Sequence, residues 1–221
     1  MIEPMWTPAT AVNPDVIVSL VGRPDPVILD IGCNDGTHTN MFLSLFPGAR
    51  VFCFDPEWRA RKRFVVNVKD TRAKLYATAV GAYDGQAAFY PSEGDGVLQP
   101  KDWDYSGSIR RPKNHLKVHP WCKFREHQPV SITRLDTWAQ AYLVDDERIV
   151  DFIWADVQGA EIDLIQGGLA TLGCTRYFFT EYSDGELYEG QVGLAKILQL
   201  LPDFEIVHQY PEDVLLRNRS L

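Results

Sequence analysis

The feature that most constrains the fold is an alternation. Short apolar runs, too continuous to leave a solvent side, take turns with segments whose apolar residues recur at helical spacing. Val27, Ile28, Leu29, Asp30 and Ile31 form the first run. The segment 37–45 then carries Met41, Phe42 and Leu45 at helical spacing, and Pro47 and Gly48 stop it. A strand is expected at 51–54, a helix at 57–68 and a strand at 73–80. A β segment at 86–90, after Asp84 and Gly85, is expected to form a hairpin with what precedes it. From residue 129 the pattern gives a strand at 129–133, a helix at 135–143, a strand at 151–155 and a helix at 160–166 that ends at Gly167 and Gly168. A strand at 177–180, a helix at 191–200 and two closing strands at 204–208 and 214–217 follow. This order predicts an α/β fold: a mainly parallel sheet of about seven strands with helices on both faces. The short link between the closing strands predicts an antiparallel C-terminal edge, because only antiparallel neighbours can be joined so tightly.

A chain of 221 residues fits one domain. Residues 1–25 read as a helical lead-in, and residues 91–128 as an insertion. The insertion is rich in Gly, Pro, Asp, Lys and His, with Trp103, Tyr105 and Trp121 interleaved. A long irregular stretch inside a compact domain is typically a lid or binding loop, so it is the expected substrate-binding region. Its aromatic residues could stack on a sugar or aromatic acceptor, or form a satellite core.

The net charge of −8 disfavours nucleic acid as a partner, because an acidic surface repels phosphate. Arg59, Arg61, Lys62 and Arg63 read as the solvated face of a helix. Arg110, Arg111 and Lys113 lie in a loop and could meet an anionic substrate. Cys33, Cys53, Cys122 and Cys174 form no CxxC pair and read as reduced, buried thiols of a cytoplasmic protein. The first residues lack the basic and apolar regions of a signal peptide, and no apolar run is long enough to span a bilayer.

In open α/β sheets a ligand sits beyond the carboxyl ends of the strands. The first strand here runs into Gly32, Cys33, Asn34, Asp35 and Gly36, with Asp30 just before. The spacing is not the GxGxxG of dinucleotide sites. A pyrophosphate on this turn would face the carboxylates of Asp30 and Asp35, which is costly. S-adenosylmethionine carries no phosphate. Its sulfonium and ammonium suit an acidic cradle, so the charges favour it over NAD. Asp55 and Pro56 end the second strand, where an acidic residue can accept both hydroxyls of a ribose. Asp35 and Asp55 also stand where they could simply cap the following helices. Ala79 and Val80 are small enough to line an adenine slot.

Taken together, residues 27–36, 51–56, 79–85, 132–136, 150–161 and 177–181 resemble the FkbM-type methyltransferase family, in order and spacing, from about residue 26 to 182. Asp156 followed by Gly159, Ala160 and Glu161 is the most specific match. The resemblance implies a class I Rossmann-like fold that uses S-adenosylmethionine and releases S-adenosylhomocysteine. It also implies O-methylation of a hydroxyl on a sugar or secondary metabolite. Two departures stand out. Trp154 replaces the family lysine, and Gln158 replaces a family glutamate.

Methyl transfer to a hydroxyl aligns acceptor and methyl in line and can require a base. Asp156 is a candidate for the methionyl end of the cofactor, for holding the acceptor or for a metal. With Glu181 it forms a candidate catalytic pair for the acceptor hydroxyl. Two carboxylates without a third ligand are a weak metal signal, and no essential metal is expected. Glu161 could equally serve the dipole of its helix. His115, His119 and His127 are loop candidates for a base, and Trp154 belongs either to the core or to an acceptor wall. Other readings are an N- or RNA-directed methyltransferase, a catalytically silent S-adenosylmethionine-binding module and, last, an NAD-linked oxidoreductase.

Overall fold

The computed structural model describes residues 12–143 and 149–221. Residues 1–11 of the expected lead-in lie outside them. The first helix, α1 (Pro14–Val21), begins where the Asn13 side chain accepts from the Asp15 N–H, with Pro14 in its first turn. It ends at Gly22, in a left-handed conformation. There follow β1 (Val27–Ile31), α2 (Thr37–Leu45), β2 (Arg50–Phe54), α3 (Trp58–Asn67), β3 (Ala73–Tyr76), β4 (Ala79–Val80) and β5 (Gly85–Phe89). The insertion holds β6 (Ser92–Glu93), α4 (His115–Val118) and β7 (Lys123–Phe124). Then come β8 (Gln128–Thr133), α5 (Leu135–Tyr142), β9 (Val150–Ala155), α6 (Glu161–Gly167), α7 (Leu169–Gly173), β10 (Thr175–Glu181), α8 (Leu194–Leu200), β11 (Phe204–Gln209) and β12 (Asp213–Asn218).

Seven strands form the main sheet in the order β11-β12-β10-β9-β1-β2-β3. From β3 to β10 every pair is parallel. The closing strands are antiparallel, as expected, with β12 set between β10 and β11. All of β1 and β9 is buried, because helices cover both faces. Leu29, Ile31, Ile153 and Phe178 pack into the core on one face. Ile28, Phe42, Phe152, Trp154 and Phe179 pack on the other. This two-sided burial is why the strands read as unbroken apolar runs. The chain starts at β1, winds outward through β2 and β3, then crosses to β9 on the other side. The tips of β1 and β9 therefore define the switch point where a ligand crevice opens.

Three expectations need correcting. The strand expected at 73–80 is two strands, because β4 leaves the main sheet and pairs in parallel with β8. The hairpin at 86–90 does not form; β5 pairs antiparallel with β8, Gly85 opposite Ile132. The reason is a tertiary contact. Asp84 accepts from the Thr133 and Thr137 hydroxyls and the Arg134 N–H, so the turn is tied to the start of α5 instead of closing on β4. The insertion is also less irregular than its composition suggests. It carries the β6–β7 pair, α4 and the bridges Tyr90–Ser108 and Pro112–Tyr188. Of the cysteines, Cys33, Cys53 and Cys122 are free and buried, whereas Cys174 is exposed.

Candidate active-site cleft

The glycine turn after β1 is shaped by contact with β9. The Gly32 and Cys33 N–H groups both donate to the Phe54 carbonyl, and Asp156 N–H donates to Ile31. Gly32 has φ +85°, and a Cβ there would lie 1.8 Å from the Asp156 carbonyl oxygen. Only glycine allows the two strand tips this approach. Asn34 also adopts positive φ. Asp30 lies beneath the turn, fully buried, accepting from the Thr39 hydroxyl at 2.5 Å, and burial pushes its carboxyl up. Asp35 accepts from the Thr37 N–H and hydroxyl and so stiffens the start of α2.

Beyond this turn opens a cleft of about 640 Å³. Gly32, Asn34, Asp55, Pro56, Ala79, Val80 and Asp156 all line it. Asp30, Asp35, Gly36 and Glu181 do not. Asp55 accepts from the Asn34 N–H at 2.8 Å and the Glu57 N–H at 2.7 Å. Burial pushes its carboxyl up to about 7, the neighbouring Asp104 and Glu57 add to the shift, and the two N–H donors oppose it. The capping role and the binding position thus coexist in one side chain. Phe89 and Ile109 join Ala79 and Val80 around the cleft.

At the rim of the switch point stand Asp156, just past β9, and Glu181, the last residue of β10. Gln158, at φ +52°, joins them. Its amide nitrogen donates to Asp156 Oδ1 at 2.8 Å and to Glu181 Oε2 at 3.0 Å. Its carbonyl oxygen faces the Tyr188 hydroxyl at 3.1 Å. The opposite amide orientation would set an oxygen against two carboxylates, so the network fixes the side chain. Burial raises both carboxyls. Glu181 is held well above the usual range, with the charges of Asp156, Glu161 and Asp213 adding to burial. Burial and the closeness of the two groups both disfavour ionising them together. Glu161 is buried, accepts from the Gly159 N–H and is pushed up to about 7 by burial.

The histidines of the insertion do not line the cleft. His115 packs on Tyr188 and His119, and burial holds its pKa down to about 4, so it is neutral. His127 packs on Tyr90. Sequence reasoning missed His38, whose ring lies 4.3 Å from that of Trp154, near Asp30 and Asp156. Its place two residues past Gly36, in the first turn of α2, was the available signal. Trp154 is core, packed on Phe179 at 4.1 Å.

The basic stretches are engaged within the chain. Arg59 pairs with Glu57 and Arg63 with Asp104, so this is not simply a solvated face. Arg110 grips Asp163 with two hydrogen bonds, and Lys113 pairs with Glu186. Trp103 packs against Tyr105 and Trp121 as a satellite cluster, from which Tyr105 reaches the cleft. Glu57, Thr78, Asp104 and Ser108 are further lining residues that the sequence did not single out.

A doubly wound sheet, a glycine turn at its switch point and an acidic residue closing β2 define a Rossmann-like methyltransferase of class I. More narrowly, the methyltransferase FkbM domain model matches residues 30–210, and the chain belongs to that family. The 2-O-methyltransferase NoeI of Sinorhizobium fredii (strain NBRC 101917 / NGR234) is 50 % identical over 210 residues, covering 93 % of this chain and 84 % of that one. Among solved structures, an rRNA methylase from Streptococcus thermophilus is 9 % identical with a TM-score of 0.48, over 93 % of each chain. A precorrin-6y C5,15-methyltransferase from Geobacter metallireducens GS-15 is 10 % identical with a TM-score of 0.47, over 96 % of this chain and 93 % of that one. Among the described residues no helix is long and apolar enough to cross a membrane.

Proposed function

We propose that the protein transfers the methyl group of S-adenosylmethionine to a hydroxyl of a small molecule, with a sugar 2-hydroxyl as the acceptor. The observation that carries this reading is the pair of carboxyls Asp156 and Glu181, bridged by the Gln158 amide at the switch point beside an acidic cleft. The name of the NoeI relative supports the position of the hydroxyl. The residues present suit the cofactor. Gly32 lets the tips of β1 and β9 meet at the cleft, Asp55 offers acceptor oxygens to a ribose, and Ala79 and Val80 offer apolar surface to adenine. Asp156 offers a carboxylate to the methionyl ammonium. When bound, S-adenosylmethionine supplies an electrophilic methyl on a cationic sulfur.

The chain's own groups then orient the acceptor and manage its proton. A carboxylate oxygen of this pair can accept the hydrogen bond of a hydroxyl and receive its proton. Gln158 keeps the two carboxyls in a fixed relation by donating to both. The acidic composition supports a small acceptor over nucleic acid. The buried free thiols suit a reducing compartment, and we place the enzyme in the cytoplasm. The test is transfer of labelled methyl to a panel of glycosides and their 2-deoxy counterparts. Label should enter glycosides with a free 2-hydroxyl and be lost in Glu181→Gln. Equal labelling of the 2-deoxy compounds would contradict the assignment.

A further inference from the structure

The insertion brings one carboxylate into the cleft that the pattern of strands and turns does not explain. Asp104 has a side chain only 1 % exposed. Its Oδ1 accepts from Arg63 at 2.7 Å and faces the Asn34 side-chain amide at 3.5 Å. Its Oδ2 is buried and has no hydrogen-bond partner among the described residues. A buried carboxylate oxygen without a donor is costly, and native structures rarely leave one so. The surroundings are not loose. Arg63 also donates to Asn34 Oδ1 at 2.9 Å, and the Ser106 N–H donates to the Ser92 hydroxyl, tying down the segment that carries Asp104.

Asp104 and Asp55 both line the cleft, and Asn34 links them. The Asn34 N–H binds Asp55, and the Asn34 side chain lies against Asp104 and Arg63. The two carboxylates are close enough for the charge of one to act on the other. Asp104 Oδ2 has no donor among the described residues, and each Asp55 oxygen, holding one backbone N–H, keeps a lone pair free for a second donor. Arg63 already balances the charge of Asp104, so the arrangement calls for a neutral ligand with two adjacent donors rather than a cation. A vicinal diol has that chemistry.

We propose that Asp104 is a ribose-binding residue that shares the nucleoside diol with Asp55. The insertion is then part of the cofactor site, and not only the acceptor region that its composition suggests. This assignment rests on the S-adenosylmethionine reading above.

The test is calorimetric titration of wild type and Asp104→Asn with S-adenosylhomocysteine and with its 2′-deoxy and 3′-deoxy forms. Wild type should bind one deoxy form about ten-fold or more weaker than the parent, the usual scale of a hydrogen bond to a charged group. Asp104→Asn should lose a similar factor for the parent and bind that deoxy form nearly as wild type does. Arg63→Gln is the second variant, since it loosens the insertion but keeps the carboxylate. It should weaken all three ligands by a common factor. An Asp104→Asn chain that binds the parent as wild type does, or that loses the same factor for all three ligands, overturns the proposal. A wild-type chain that binds none of them refutes the cofactor reading itself, and the proposal with it.

Discussion

Replacing Gln158 by glutamate puts a third carboxyl between Asp156 and Glu181, at positions now 2.8 and 3.0 Å from their oxygens. Two ionised carboxylates about 4 Å apart repel by about 4 kcal/mol at an effective dielectric constant of about 20. Repulsion from a charged neighbour and burial together therefore make ionising the new group costlier than keeping it protonated. Keeping it protonated costs about 1.4 kcal/mol for each pH unit above its ordinary value of about 4.3. That is about 1 kcal/mol at pH 5 and about 4 kcal/mol at pH 7. The folded pKa is raised, so its stability contribution is intact below about pH 4.3 and is lost as pH rises towards the folded value. For a domain of this size the melting temperature should fall by roughly 8–16 °C at pH 7 and by only a few degrees at pH 5. Thermal melts of wild type and Gln158→Glu at the two pH values read this directly. An equal difference at both would refute the electrostatic account and leave only lost packing.

Other outcomes follow from the same geometry. Affinity for S-adenosylhomocysteine should rise between pH 6 and pH 8, because Asp55, pushed up to about 7, must ionise to accept hydroxyls fully; a flat titration series would contradict its role. Gly32→Ala should be severely destabilised, since its Cβ would meet the Asp156 carbonyl at 1.8 Å, whereas Gly173→Ala meets nothing within 4 Å and should melt as wild type does. His115, held down to about 4 by burial, should show no NMR titration above about pH 5. Its folded pKa is depressed, so its contribution to stability is present above about 6.5 and lost as pH falls towards 4.

The parallel core was legible because its central strands are buried on both faces and α2, α6 and α8 stop at or just before Gly or Pro. The boundaries of α2 were readable for that reason, as were Gly32, Asp55 and Asp156, each of which directly follows a core strand. The split between β3 and β4 was not readable. It depends on β8, which lies some fifty residues further along the chain, and on Asp84 bonding to the start of α5. Arg59 and Arg63 looked like a solvent face because their partners, Glu57 and Asp104, are brought to them by a turn and by the insertion. Asp104 and Tyr188 come from segments whose approach to the site is set by tertiary packing alone, and local periodicity carries no record of that.

The most direct test of the account is calorimetric titration with S-adenosylhomocysteine and with NAD, on wild type and on Asp55→Ala. The account predicts that wild type binds S-adenosylhomocysteine and not NAD, and that Asp55→Ala, while remaining folded, loses most of that affinity. Binding of NAD in its place, or no adenosyl binding by folded wild-type protein, would contradict it.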